Sequence, residues 1–203
     1  MKRPIFIARQ SARPSGLMGR VIASVMAHET SELNEHALRL LHPSPFDRVL
    51  EVGFGHGRTI ERLASVVDYG RVCGIDVSES MLNMAVRRNR HAIAEGRVDL
   101  RKGDCASIPF GAASFDAALS VHTLYFWGDP TACLREIRCV LRPGGRVVLG
   151  FLRGDSPLRK RFPSEVYVFY DEQAVCAMLA ASDFGSIQVS RIGEASLLVA
   201  TTA

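Results

Sequence analysis

The sequence predicts an α/β fold: a doubly wound, mostly parallel seven-stranded sheet that ends in an antiparallel hairpin. Three observations predict it. From residue 48 onward, short β-rich runs alternate with longer stretches of helical period. Connections of helix length are what parallel pairing requires. The last two runs, SIQVSRI and ASLLVATT, are joined by Gly193-Glu194 alone, which permits a hairpin and excludes a helical crossover. With 203 residues, 47% hydrophobic and 23% charged, the chain can fill one core and is too short for two ordinary domains.

The elements follow in order. Residues 1–45 are expected to form an N-terminal helical cap segment ahead of a domain spanning 46–203. In the cap, Leu17, Met18, Val21, Ile22, Val25 and Met26 repeat at helical spacing and make one apolar face, and a second helix is expected over about 31–41. RVLEV (48–52) reads as the first strand, GRTIERLASVV (57–67) as a helix and RVCGID (71–76) as the second strand. SESMLNMAVRRNRHAIAEG (78–96) reads as one helix closed by Gly96. VDLRKG (98–103) and FDAALSV (115–121) are strands, about 129–141 is a helix, and RVVLGFL (146–152) is the fifth strand. A charged, proline-punctuated connection, RGDSPLRKRFPSEVY, leads to a helix over about 171–181 and then to the hairpin.

Composition narrows the function classes. Twenty-five basic against 21 acidic residues give a net charge of +4. The basic residues are spread along the chain apart from Arg87-Arg88-Asn89-Arg90 and Arg159-Lys160-Arg161, a balance that does not imply nucleic acid. The start, MKRPIFIARQ, lacks the apolar core of a signal peptide, and no apolar run reaches membrane-spanning length; a soluble, cytoplasmic protein with no stable membrane insertion is expected. The cysteines Cys73, Cys105, Cys133, Cys139 and Cys176 are odd in number, show no CxxC and mostly sit in apolar segments, so reduced, buried thiols are expected. No His, Cys or Asp cluster has metal-ligand spacing, and no metal is expected.

The first strand runs into VGFGHGR, with Glu51 set among valines and leucine. In open α/β sheets a ligand sits at the carboxyl ends of the strands, where chain order reverses, and this turn is at that place. Glycines at 53, 55 and 57 let the backbone turn tightly and approach a ligand with no Cβ in the way. Asp76 closes the second strand 19 residues after Gly57, where an acidic side chain can accept both hydroxyls of an adenosine ribose. A nicotinamide or flavin site requires GxGxxG, and counted from Gly53 the third glycine position holds Arg58. A carboxylate at Glu51 would repel a pyrophosphate and attract a cofactor bearing an amino group and a sulfonium.

EVGFGHG resembles motif I, ExGxGxG, of the class I S-adenosylmethionine-dependent methyltransferases. The likeness continues in register over 46–200. GIDVSESML is similar to the family's second motif, which implies that Asp76 holds the ribose and Met81 lies against the adenine, with Val77 beside them. GDCASIPFGAASFDAAL is similar to GDAxxLPFxxxSFD, which implies that Asp104 and the Cys105 amide face the adenine edge. EIRCVLRPGGRVVL is similar to the run that leads into the family's fifth strand. VYVFYDEQAVCAMLAASDFGSIQV resembles its late helix and sixth strand, with Ser182-Asp183-Phe184 where AGF is usual. RQSARPSG and LYFW resemble a subgroup of small bacterial methyltransferases often named by analogy with quinone-biosynthesis enzymes. The resemblance implies a Rossmann-like methyltransferase fold, S-adenosylmethionine as cofactor with S-adenosylhomocysteine as product, and cofactor contacts at Glu51, Gly53, Gly55, Gly57, Asp76, Val77, Met81, Asp104, Cys105 and Ser120.

Methyl transfer from a sulfonium is an in-line displacement, so position comes first and a base is needed only for a protonated acceptor. SVHTLYFWGDP (120–130) should face the methionine end and the acceptor. His122 is a candidate general base, its ordinary alternative being a histidine that hydrogen-bonds the cofactor or packs. Tyr125 is a candidate acceptor-site residue; Phe126 and Trp127 wall the pocket or belong to the core. His56 is expected to face solvent, and the Arg87 to Arg90 group to be a solvated helix face. Residues 5–28 are either a lid over cofactor and acceptor or an ordinary packing helix.

The leading function is methyl transfer to a small-molecule acceptor: only the N-terminal 45 residues and the 153–170 connection are left to hold it, which suits a small or extended lipophilic acceptor better than a folded protein. The family members that modify exocyclic amines of nucleic acids carry an Asn/Asp-Pro-Pro-aromatic motif where this chain has Ser120-Val121-His122-Thr123, and no basic, aromatic-interleaved tract offers a path for a strand. The competing classes are an S-adenosylmethionine-binding sensor or partner subunit without catalysis of its own, and a dinucleotide oxidoreductase, which Glu51 and Arg58 oppose.

Overall fold

The computed structural model describes residues 2–16, 19, 22 and 30–202. Its centre is one seven-stranded sheet in the order β3-β2-β1-β4-β5-β7-β6. The strands are β1 (Arg48–Val52), β2 (Arg71–Asp76), β3 (Val98–Lys102), β4 (Phe115–Val121), β5 (Leu141–Leu152), β6 (Phe184–Ile192) and β7 (Ala195–Thr202). β1 to β5 pair in parallel, while β7 pairs antiparallel with both β5 and β6, as the two-residue link requires. The order turns back at β1, whose neighbours are β2 and β4, and that reversal opens a crevice at the carboxyl ends of these strands.

The helices are α1 (Ile5–Ala12), α2 (Ser31–Leu41), α3 (Arg58–Ala64), α4 (Glu79–Arg88), α5 (Arg90–Ala94), α6 (Pro130–Val140) and α7 (Glu172–Ala180). Alternation along each strand sends side chains to two cores. Leu50, Val52, Cys73 and Ile75 pack with α6 and α7, whereas Val49, Val72, Ala117 and Leu119 pack with α2 and α3. Glu51 has the parity of Val49, so its carboxyl lies on the α2 and α3 side. None of the helices among the described residues is long and apolar enough to cross a membrane.

Four expectations change. The helix over 78–96 is two helices, because Asn89 breaks the ladder: its amide donates to the carbonyls of Gly57 (3.0 Å) and Ala85 (2.9 Å). β5 starts at Leu141, before the Pro143-Gly144-Gly145 turn, because Leu141 already pairs with Phe115. α1 was not anticipated, and the apolar face expected over 17–26 lies outside the described residues apart from Ile22. Nor are all thiols reduced: Cys105, in the loop after β3, and Cys133, on α6, are brought to a Cα separation of 4.9 Å and form a disulfide. Of the free cysteines only Cys73 is buried.

Candidate active site

The turn after β1 is built by glycines in the left-handed region, with φ of 79° at Gly53, 54° at Gly55 and 78° at Gly57. A Cβ on Gly53 would strike the Thr123 methyl, and one on Gly57 would come within 2.8 Å of both Ala85 and Asn89. Those two glycines therefore press the turn against its neighbours. Gly55 differs, because a Cβ there would meet nothing within 4 Å. It borders a cavity of about 420 Å³.

Asp76 holds this turn open. Its carboxylate accepts the N–H of Gly55 (2.9 Å) and of Ser78 (2.8 Å), joining the ends of β1 and β2. The Ser78 hydroxyl caps α4 by accepting the Met81 N–H (3.2 Å) and donates to the Pro14 carbonyl, which ties the N-terminal segment to the site. Burial raises the Asp76 carboxyl, while the two backbone donors pull it back.

Glu51 is 4% exposed, and its Oε2 has no hydrogen-bond partner among the described residues. Burial, then the charge of Asp76, push its carboxyl up to about 8 against a hydrogen bond from Thr59. A buried carboxyl with an unsatisfied oxygen is a costly feature that a cationic ligand would relieve.

Eight of the expected cofactor residues line the cavity: Glu51, Gly53, Gly55, Asp76, Val77, Met81, Asp104 and Cys105. Gly57 and Ser120 do not. Gly57 is buried against α4, and the Ser120 hydroxyl is turned into the sheet, donating to the Val52 carbonyl (2.9 Å) and meeting the Thr123 hydroxyl (2.5 Å). Ser120 thus fixes the strand ends that carry the site. His56, expected to face solvent, is half-buried and lines the cavity, its ring held below the ordinary histidine range by burial and by Arg88 and Arg58. Thr30 and Asn34 from the start of α2, Thr59 from α3, and residues 11–14 also line it and were not expected from sequence.

His122 has a φ of 59°, unusual for a non-glycine residue, with its N–H bound to the Gly150 carbonyl (2.8 Å). Its Nδ1 lies 3.0 Å from the Tyr125 hydroxyl, which also accepts the Leu152 N–H. All three groups are satisfied when the tyrosine donates to Nδ1, which places the ring proton on Nε2. Burial pushes the ring down to about 4, so it is neutral near pH 7. Tyr125 does not reach the first cavity. It is 5% exposed, its hydroxyl pKa is raised by burial, and its ring lines a second cavity of about 880 Å³. Thr30, His122 and Phe126 line both cavities, so the two abut there. Trp127 is buried in the core while also lining the first. Asp104, Cys105 and Cys133 lie together, but the disulfide leaves neither sulfur as a thiolate ligand.

Residues 50–149 match the family profile described as a methyltransferase domain. An uncharacterized methyltransferase of Bacillus subtilis (strain 168), YdaC, is 33% identical over 125 residues, 62% of this chain and 67% of that protein. The chain belongs to the class I S-adenosylmethionine-dependent methyltransferases. A 2-phytyl-1,4-naphtoquinone methyltransferase of Synechococcus elongatus is 33% identical over 148 residues, 72% of this chain and 64% of that one. Several curated relatives are longer, and the chain spans about half of their length, 42% to 50%. A SAM dependent methyltransferase from Aquifex aeolicus has the same fold, with a TM-score of 0.72 at 23% identity over 84% of this chain and 89% of that one. The methyltransferase family's cofactor is S-adenosylmethionine, and the residues here fit it: an unsatisfied buried carboxyl for a cation and an open glycine at the cavity wall.

Proposed function

We propose that this methyltransferase transfers a methyl group to a small-molecule acceptor held beside His122. The observation that carries the reading is the pair of abutting cavities, one with the cofactor residues and one larger, sharing His122 as a wall. When bound, S-adenosylmethionine supplies a methyl group on a positively charged sulfur, which an acceptor atom displaces in line. The chain's own residues hold and orient. Asp76, held by the amides of Gly55 and Ser78, would receive the ribose, with Val77 and Met81 at the adenine and Asp104 and the Cys105 amide at its edge. Glu51 would pair with the amino group, losing its proton as it does so.

His122 serves better as a hydrogen-bond donor than as a base, because the Tyr125 hydroxyl occupies Nδ1 and leaves Nε2 protonated. Tyr125 is a positioning residue: it fixes the His122 ring from the Leu152 backbone. Residues 1–45 would act as a cap on 46–203; of the lid expected over 5–28, residues 17, 18, 20, 21 and 23–28 lie outside the described residues, and the part proposed to exclude water is 5–14. In support, residues 11–14 line the first cavity and Arg3, Pro4 and Ile7 the second. A small acceptor is favoured over a strand of nucleic acid, since β4 runs into Ser120-Val121-His122-Thr123; the relative named for a phytyl-naphthoquinone supports a lipophilic one.

The test is methyl transfer from labelled S-adenosylmethionine across a panel of quinols, phenols, carboxylates and amines. Turnover with one class that His122→Ala lowers more than cofactor affinity supports the reading. Tight cofactor binding with no transfer to any class favours a sensor or partner subunit. If a chain lacking residues 1–28 folds and methylates at full rate, the lid is wrong.

A further inference from the structure

The second cavity has a composition that the cofactor site lacks. Tyr125, Phe126, Phe162, Tyr167 and Phe169 give it five aromatic rings from two segments. They pack against one another, with Tyr167 and Phe169 stacked at an interplanar angle of 7°, Phe126 and Phe162 each 4.9 Å from Tyr167, and Tyr125 5.0 Å from Phe169. Mutually wedged rings are rigid walls that favour a flat apolar ligand. The Tyr167 hydroxyl is buried with no hydrogen-bond partner among the described residues, a cost that a ligand's polar atom would offset.

The lining also carries charge. The Arg3 N–H donates to the Arg161 carbonyl (2.6 Å), the Arg3 guanidinium lies 5.0 Å from the centre of the Phe162 ring, and Lys2 lines the same cavity. The cavity also has two carboxylates. Glu194, on the hairpin, is 3.9 Å from Arg153, and Glu32 comes from α2. Lys2, Arg3 and Arg161 outnumber the two carboxylates in this lining, and Arg161 precedes the Phe162 ring in the chain, so an anion is favoured beside the aromatic wall at Arg161.

Resting on the methyltransferase reading, we infer that the acceptor is a flat aromatic molecule bearing an anionic group such as a carboxylate, with its rings among Phe126, Phe162, Tyr167 and Phe169 and its charge at Arg161. A cavity of about 880 Å³ accommodates two or three fused rings with a substituent. His122 and Phe126, shared with the cofactor cavity, set which edge of the rings faces the methyl donor.

The test uses 2-naphthoate as the anionic probe, 2-naphthalenemethanol as its neutral partner and S-adenosylhomocysteine as an independent check of the cofactor site, each titrated into the full chain by calorimetry. Naphthoate is expected to bind saturably and at least about tenfold more tightly than the alcohol. Arg161→Gln should abolish that difference, and Phe162→Ala should weaken both probes about tenfold. S-adenosylhomocysteine affinity should be unchanged in both variants, which also shows that they fold. Equal binding of the two probes, or a difference that survives Arg161→Gln, overturns the anionic assignment. No binding of either probe to protein that binds S-adenosylhomocysteine overturns the aromatic slot. Naphthoate bound in the predicted pattern by protein that takes no S-adenosylhomocysteine leaves the slot standing and removes the methyltransferase reading instead.

Discussion

The two cavities that meet at His122 are built from different material. The first takes Glu51 from β1 and its glycine wall from the turn that follows, and Asp76, Val77 and Met81 from the end of β2 and the start of α4. The second draws on residues 2–7, 30–33, 122–126, 152–169 and 192–195, segments that meet only in the folded chain. A glycine turn and two carboxylates mark the one, a wall of five packed rings the other. A cofactor of fixed shape and charge is met by a local pattern of residue types; an acceptor is met by packing, which has no pattern in sequence.

The sharpest way to break this contrast is Asp76→Ala. It removes the group that holds the N–H of both Gly55 and Ser78, so S-adenosylmethionine affinity should fall about 100-fold or more, while 2-naphthoate affinity is unchanged. Equal losses at both cavities, measured by calorimetry, would mean that they are one site.

Glu51 separates the cavities by their proton balance. Its carboxyl is raised to about 8 from an ordinary 4.5, so near pH 7 it is mainly protonated, and a cation beside it drives the proton off. S-adenosylmethionine should release protons on binding, seen as a dependence of the binding heat on buffer, and 2-naphthoate should not. Glu51→Gln should abolish the release and weaken S-adenosylmethionine about tenfold. Because the folded carboxyl is raised, its contribution to stability is full below about pH 4.5 and is lost as pH rises to about 8. The ligand-free protein should melt lower at about pH 9 than at about pH 6, and Glu51→Gln should remove most of that difference.

Tyr125→Phe probes the shared wall. It leaves the Leu152 N–H and His122 Nδ1 without their partner, at a stability cost of about 1–3 kcal/mol. Turnover should fall about tenfold with no change in cofactor affinity. With His122 held near 4, the wild-type rate should show no titration step from this ring between about pH 5 and 8, and a limb near 6.5 that His122→Gln removes would restore the general base. Arg87→Ala marks the floor of these effects, because the side chain is exposed: stability should move by less than about 0.5 kcal/mol and neither ligand's affinity should change.

The same contrast explains what could be read before the structure. β1, β2 and β4 are short, nearly continuous apolar runs buried on both faces, so the strands were legible almost one by one. The turn at Gly53 to Gly57, with Glu51 and Asp76, was legible because each residue type is demanded by backbone geometry or charge. That the Ser120 hydroxyl turns back to Val52 is seen only in the three-dimensional strand ends. The break at Asn89 depends on Gly57, 32 residues away, and the Cys105 to Cys133 disulfide on a loop packing against α6; neither has a local signal. Phe162 and Tyr167 fall in a stretch that reads as a punctuated connection, because the ring that Tyr167 meets across the cavity, Phe126, is 41 residues away in the chain. Thr59 and Asn34 left a faint trace as polar residues on helix faces that are otherwise apolar, and nothing local told them from surface positions.

The assignment of the first cavity is decided by calorimetric titration of the full chain with S-adenosylmethionine and S-adenosylhomocysteine, with NADH alongside and the Glu51→Gln, Asp76→Ala double variant as control. Saturable binding of both sulfur compounds by the wild type, lost in the variant and with no NADH binding, is the result predicted here. Binding of NADH, or S-adenosylmethionine binding that survives removal of both carboxylates, would contradict the assignment of this cavity.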